Sequence, residues 1–294
     1  MIDLIALRHR GEFVLPAYAV TFHRGVQLNG MTFTPKPEVL HIRGSLAKAI
    51  HGNNVQPMSF SDVCAGIAWL EQVLETDLDD AEVNELEFGA VVATREPCGA
   101  YLRTWGPVAQ FKQVVTNAGQ TVLYTNGNTS FQGYDKALQM RLRGIPEAFL
   151  NHYLMRLEQK YKRNRLRVVF GEPVYVKHLR NHLVYVELVE RWHTAYKRIP
   201  KGGTARPRFV TSTRELITWL AAGDLGSPGR LAEVSLEIKQ SRALSPNQKR
   251  TMRSRLRGLS QQGQYIEPTD LTVELDGLVQ AWAEQELGTN RGHS

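Results

Sequence analysis

Apolar and polar positions alternate or recur along the chain with periods that assign most of it to strands and helices. Residues 2 to 45 hold three β-like runs, IDLIAL, VLPAYAVTF and EVLHIRG, separated by Gly and Pro turns. Ser59 and Ser61 then precede FSDVCAGIAWLEQVLET, where Val63, Ile67, Leu70 and Leu74 recur at helical spacing, so a capped helix is predicted to lay one stripe on that sheet. In VNELEFGAVVAT the period changes to two. Leu86, Phe88 and Ala90 share one face, and Glu85, Glu87 and Gly89 share the other. Pro97 opens a short helix through Tyr101 and Trp105, after which QTVLYTNGNTSFQGYDKAL reads as a hairpin turning at Asn126-Gly127, with Tyr134 in its second arm. HYLMRLEQKYKR alternates again, with Met155 and Leu157 inward and Arg156, Glu158 and Lys160 opposite; a helix also fits these letters. Leu179, Leu183, Val186, Val189 and Tyr196 predict a long helix from Val176 to near Pro200.

KGGTARPR reads as an exposed linker. The segments beyond it are helical in character: STRELITWLAAG, RLAEVSLEIKQSRAL, SPNQKRTMRSRLRGLSQQ and PTDLTVELDGLVQAWAEQEL. The expected fold class is α+β: a largely antiparallel sheet with helices on one face and the active site on the other, followed by a mainly helical C-terminal module. The expected division is residues 1–200, a linker at 201–210 and a helical module at 211–294.

Composition narrows the function classes. No apolar run approaches the roughly 18 residues of a membrane span, and MIDLIALRHRGEF lacks signal-peptide features, so a cytosolic protein without a membrane partner is expected. Cys64 and Cys98 belong to no CxxC or Cys/His cluster, which leaves zinc and a disulfide framework unsupported. A net charge of +7 favours a polyanionic partner. The charge is also polarised. Glu71 to Glu96 carries nine carboxylates, whereas Arg141 to Arg214 carries seventeen Lys or Arg against five Glu. Lys239 to Arg257 has seven basic residues and no acidic one, a pattern shared by nucleic-acid contacts and by ordinary solvated helix faces.

Candidate chemistry follows from residue type. Breaking a phosphodiester by transesterification needs a nucleophile in line with the leaving oxygen and a cation to offset charge on the phosphate. Tyrosine serves as such a nucleophile if its phenol, with a pKa near 10, is activated. Tyr134-Asp135-Lys136 combines a phenol, a carboxylate and an ammonium, and strand alternation places Tyr134 and Lys136 on one side. Packing is the ordinary role of a strand tyrosine, and the other tyrosines remain open. Glu85, Glu87 and Glu158 lie on polar strand faces, where they either face solvent or supply oxygen ligands to Mg2+ or Mn2+. No phosphate loop, GxGxxG, HExxH or His-apolar-His pair is present, and His178 with His182 lacks a third ligand.

Four segments in order, IRGSLAKAIHGNN, VNELEFGAVV, GYDKALQ and LMRLEQKYKR, together with the opening MIDLIAL, resemble the phage and plasmid rolling-circle replication initiators of the filamentous-phage gene II/X and replication-initiation-factor type. The resemblance spans roughly residues 1 to 200. It implies metal binding by Glu87 and Glu158, and it matches Asp135 and Lys136 to a YDK core. The chain departs from the pattern at Ala90 and Val91, where relatives carry a polar Asn after the Gly. Relatives place the attacking tyrosine within or beyond the YDK region, which makes Tyr134 the leading nucleophile and Tyr161 the second. The implied activity is nicking of a double-stranded origin, leaving a 5′-phosphotyrosine and a 3′-hydroxyl. Origin DNA, a host helicase and a host polymerase are the implied partners. Arg156, Lys160, Lys162, Arg163 and Arg165 would contact phosphates. The basic helix with Lys249, Arg250, Arg253, Arg255 and Arg257 would bind the origin or form a homodimer contact. Two further readings stay open: a DNA-binding protein without catalysis, such as a repressor or degenerate initiator, and a mobilisation relaxase or transposon nickase with the same chemistry.

Overall fold

The structure is a computed structural model and describes residues 2–15, 20–22, 25–55, 58–142, 153–205, 228–241, 243–260 and 266–288, with the backbone alone at 20–22, 203–205, 228–233, 257–260 and 266–267. The first half alternates hairpin strands with short helices: β1 (Ile2–His9), β2 (Val20–Phe22), β3 (Gly25–Leu28), β4 (Met31–Lys36), β5 (Val39–Ser45), α1 (Leu46–His51), α2 (Phe60–Leu74), β6 (Glu82–Thr94) and α3 (Cys98–Leu102). It continues through β7 (Lys112–Thr116), β8 (Thr121–Thr125), β9 (Thr129–Asp135), α4 (Lys136–Leu142), β10 (Tyr153–Lys162), α5 (Arg163–Phe170), α6 (Val176–Leu179) and α7 (His182–Lys197). Beyond these lie β11 (Gly203–Ala205), α8 (Pro228–Gln240), α9 (Pro246–Ser260), β12 (Ile266–Pro268) and α10 (Asp270–Gly288).

Ten of these strands form one sheet in the order β2-β3-β4-β5-β1-β6-β10-β9-β8-β7. Each pairing is antiparallel. The architecture is therefore α+β, with a largely helical C-terminal region. Alternation sends Ile2, Ile5, Leu7, Leu86, Phe88, Leu157 and Tyr161 into one continuous core. Helices α2 and α7 cover that face. Ser59 caps α2 through a reciprocal box with Asp62, and Val63, Ile67, Leu70 and Leu74 are its buried stripe. Trp192 of α7 is buried and donates its indole N–H to Leu157 O of β10 at 3.1 Å. Helix α10 packs on α7: Leu275, Val279 and Ala283 are buried, and the Trp282 and Trp192 rings meet at 4.9 Å.

Several local expectations are corrected. Residues 2–45 contain five strands where three β-like runs are read from sequence, and β7 is an additional edge strand. The helix expected from Val176 to Pro200 is two helices, because Asn181 accepts from Leu183 N at 2.9 Å and starts α7 afresh. Gly203–Ala205, inside the expected linker, pairs with β12. Strand β9 ends at Asp135, so Lys136 opens α4 and does not continue the alternation from Tyr134. STRELITWLAAG, residues 212–223, lies outside the described residues. Among the described residues no helix is long and apolar enough to cross a membrane.

Candidate functional site

The face of the sheet opposite the core carries a row of charged side chains along its central strands. Glu158 of β10 stands opposite Gly89 on β6 and opposite Gln132 on β9; Lys160 stands opposite Glu87, and Arg156 opposite Tyr134. Gly89 is what lets β10 come this close. A Cβ there would lie 1.9 Å from Leu157 O and 2.8 Å from Glu158 Cα, contacts that no side chain can make. The Gly of LEFG thus belongs to the same device as its Glu.

Two linked clusters make up the row. In the inner one, Arg156 is buried and reaches Asp3 Oδ2 at 2.8 Å, while its Nη1 donates to Asn54 O at 3.0 Å. Its Nε lies 2.8 Å from Glu158 Oε1, a charge contact without hydrogen-bond alignment. Glu158 also accepts from Gln132 Nε2 at 2.6 Å and from the Tyr134 hydroxyl at 3.2 Å. Asp3 further accepts from Ser45 and from Asn54 Nδ2. In the outer cluster, Lys160 Nζ bridges Glu87 at 2.6 Å and Glu85 at 2.9 Å, and Arg43 reaches Glu85 at 2.6 Å.

The electrostatics differ from group to group. Burial would raise the Asp3 carboxyl, but Arg156, the hydrogen bonds from Ser45 and Asn54, and Lys136 hold it below the ordinary carboxylate range. Glu87 is displaced upward, first by burial and then by the charges of Glu158 and Glu85 acting against Lys160. Lys160 is held charged by Glu87 and Glu85 despite its burial. Burial pushes the Tyr134 phenol far up, the Glu158 charge adds to this, and Arg156 opposes it.

The remaining sequence candidates sit elsewhere. The Lys136 ammonium binds Asn54 Oδ1 at 2.8 Å and Gln139 Oε1 at 2.9 Å, and Arg156 is a cation whose charge acts on the Tyr134 phenol. Asp135 Oδ1 caps α4 by accepting from Leu138 N at 2.8 Å. Its charge bears on Cys98, whose thiol burial pushes up to about 12. Tyr161 faces the helices, packed edge-on against Phe88 with ring centres 5.2 Å apart, and does not join the carboxylate row. Arg163 grips Glu82 with two hydrogen bonds of 2.7 and 2.8 Å. Lys162 is exposed at the end of β10, and Arg165 lies over the Tyr161 ring. On α9, Lys249 donates to Lys239 O, Arg250 and Arg255 are exposed, and Arg253 is half-buried. The Arg257 side chain lies outside the described part. Of the two histidines, His178 accepts from Tyr175 N and His182 packs on Phe60.

A second group of carboxylates was visible in the sequence only as part of an acidic run. Glu71, Asp77 and Asp79, at the end of α2 and in the loop after it, offer oxygens all within 4.8 Å of one another, a set able to hold a divalent cation. Arg180 lies against it, 2.5 Å from Glu71 and 3.3 Å from Asp79. In the central row, Glu87 and Glu158 are carboxylates, the ligand type that a magnesium-like ion takes. Glu87 is displaced upward chiefly by its burial, and Lys160 does not fully offset that burial and the neighbouring charges of Glu158 and Glu85.

No family model matches the sequence, and no curated protein matches it. Among solved structures, the chain is similar to the rolling circle replication initiator protein from Geobacillus stearothermophilus at 10% identity, covering 74% of this chain and 89% of that one with a TM-score of 0.38. At that score and identity the likeness assigns neither a fold nor an activity to this chain.

Proposed function

We propose that the chain is a DNA strand-transferase of the rolling-circle initiator kind, which nicks one strand at an origin and keeps the new 5′ end on Tyr134. One observation carries the reading: the Tyr134 hydroxyl donates to Glu158 at 3.2 Å on the face that also bears Glu87, so the GYDK, LMRLE and LEFG segments meet at one place. In the proposed step the phenol oxygen attacks phosphorus, the bond to the 3′ oxygen breaks, the phenol proton leaves to solvent by way of Glu158, which stays ionised, and the 3′ oxygen is protonated from solvent. Energy retained in the phosphotyrosine ester permits rejoining without ATP. Glu87 and Glu158 would hold a divalent ion, which supplies positive charge against the developing phosphate charge. Burial and the Glu158 charge push the Tyr134 phenol far up, and Arg156 offsets only part of that, so an incoming metal charge must supply the rest. Tyr134 and Glu158 are both buried, so a phosphate reaches them only if neighbouring side chains give way. Exposed Lys162, Arg250 and Arg255 are the proposed phosphate contacts.

A DNA-binding protein without catalysis is the second reading, favoured by the Lys160 ammonium seated between Glu85 and Glu87, where a metal would otherwise reduce their repulsion. The two separate in one assay: labelled single-stranded origin DNA with Mn2+ or Mg2+, resolved on a denaturing gel for wild type, Tyr134→Phe, Tyr161→Phe and Glu158→Ala. The nickase reading expects a metal-dependent covalent adduct that survives Tyr161→Phe and disappears in the other two variants. DNA retention with no adduct under any metal would leave the non-catalytic protein.

A further inference from the structure

On the helix side of the sheet, away from the carboxylate row, a cavity of ≈ 310 Å³ opens between β8–β10 and α7. Its volume lies at the lower end of small-molecule sites. Phe111, Phe131 and Tyr161 supply aromatic surface to it. Its polar lining is unusual for a packing defect. Gln159 and Thr129 are 4% and 6% exposed, yet Gln159 Oε1 and Thr129 Oγ1 have no hydrogen-bond partner among the described residues, and neither does Arg165 Nε. Buried polar atoms left unpaired are destabilising, so the site calls for a ligand that hydrogen-bonds at its floor. Cations gather around it. Arg165 lies over the Tyr161 ring, the charge of Arg198 also reaches Tyr161, and Arg191 is tied to Glu187 at 2.6 Å. With Glu187 and Glu190 as the acidic lining residues, three guanidinium groups leave one positive charge in excess.

We propose that this cavity binds a nucleotide, either free or as one unit of a strand. The base stacks on the aromatic wall and donates an N–H to Gln159 Oε1, while the phosphate pairs with Arg165 and Arg198. Aromatic surface alone would take any apolar body. The buried amide oxygen selects a ring with donors, and the arginines select an anion on the same molecule. This assignment is independent of the chemistry proposed at Tyr134. It also gives Tyr161 a role as a wall of the cavity.

The test titrates the full chain with each of the four deoxynucleoside monophosphates and with inorganic phosphate by calorimetry, and with a labelled single-stranded oligonucleotide by fluorescence anisotropy. Arg198→Ala, at an exposed position, and Gln159→Leu are run alongside, and thermal melting confirms that both are folded. Binding of at least one monophosphate, tighter than phosphate and weakened on the order of tenfold by each substitution, is the expected result for the free form. The same sensitivity seen only with the oligonucleotide supports the strand-borne form. Nucleotide binding indifferent to both substitutions, inorganic phosphate binding as tightly as the monophosphates, or no binding of either form overturns the proposal. Val273→Ala, at an exposed position that lines neither this cavity nor the carboxylate row, is the control whose affinities must match wild type, and the monophosphate titrations read this site without any nicking chemistry.

Discussion

At Glu87, burial and the charges of Glu158 and Glu85 oppose ionisation, and Lys160 favours it without prevailing. The carboxyl therefore holds its proton more tightly in the folded protein than in the unfolded chain. Ionisation at Glu87 then costs stability at neutral pH, and that cost fades as pH falls through the folded value toward the ordinary 4.5. Glu87→Gln is expected to raise Tm at pH 7.5 by roughly 2–4 °C, with the gain shrinking toward pH 4.5. A lower Tm at pH 7.5 would mean that the bond to Lys160 outweighs burial. Asp3 has the opposite sign: its pairing with Arg156 stabilises fully above the ordinary 3.8 and is lost as pH falls through the depressed folded value. Of these residues, the common face of Glu85, Glu87 and Gly89 was legible from alternation. The burial of Arg156 was not, because an arginine on a polar strand face ordinarily reaches water, and here the Asn54 segment covers it.

Strands β6, β10 and β9 act as one element, and their glycines set its spacing. Gly89 admits the β10 backbone, and at Gly133 a Cβ would lie 2.6 Å from the Trp105 ring. Gly89→Ala is expected to destabilise by about 1–3 kcal/mol in urea unfolding, because the clash is with backbone and no rotamer relieves it. Unchanged stability would show that the two strands can separate freely. The main strands were readable because each alternates over many residues. Strands β3, β4 and β7 escaped because GVQL, MTFTPK and KQVVT are short or end in polar residues, so their order comes from neighbours in the meander and not from their own pattern. The helix break at Asn181 was legible in principle, since Asn before an apolar run is a capping signal, but the apolar spacing ran across it.

At the scale of the molecule, α10 joins its buried face to the core around Trp192, while Glu274, Asp276 and Glu286 bond Tyr101, Tyr196 and Tyr185. Leu275→Ala is expected to cost about 2–5 kcal/mol, against less than about 0.5 kcal/mol for exposed Val273→Ala. Both should unfold in the same single urea transition as wild type. A separate early transition in Leu275→Ala would instead make α10 an independently melting unit.

The α+β class, the strand and helix periods, and the carboxylates that share a polar face can all be read from the order of residues, because backbone geometry makes such patterns local. Even the orientation of Tyr161 was implicit, since it falls in step with Met155 and Leu157 along β10. The place of β10 between β6 and β9, the pairing of Arg156 with Asp3 and of Lys160 with Glu87, the turn of Lys136 to Asn54, and the opening of the unpaired Gln159 oxygen on a cavity emerge from the folded chain alone. Those outcomes depend on contacts between residues far apart in the chain. Local periodicity sets which way a side chain faces, but the partner it meets is set by how the whole sheet closes.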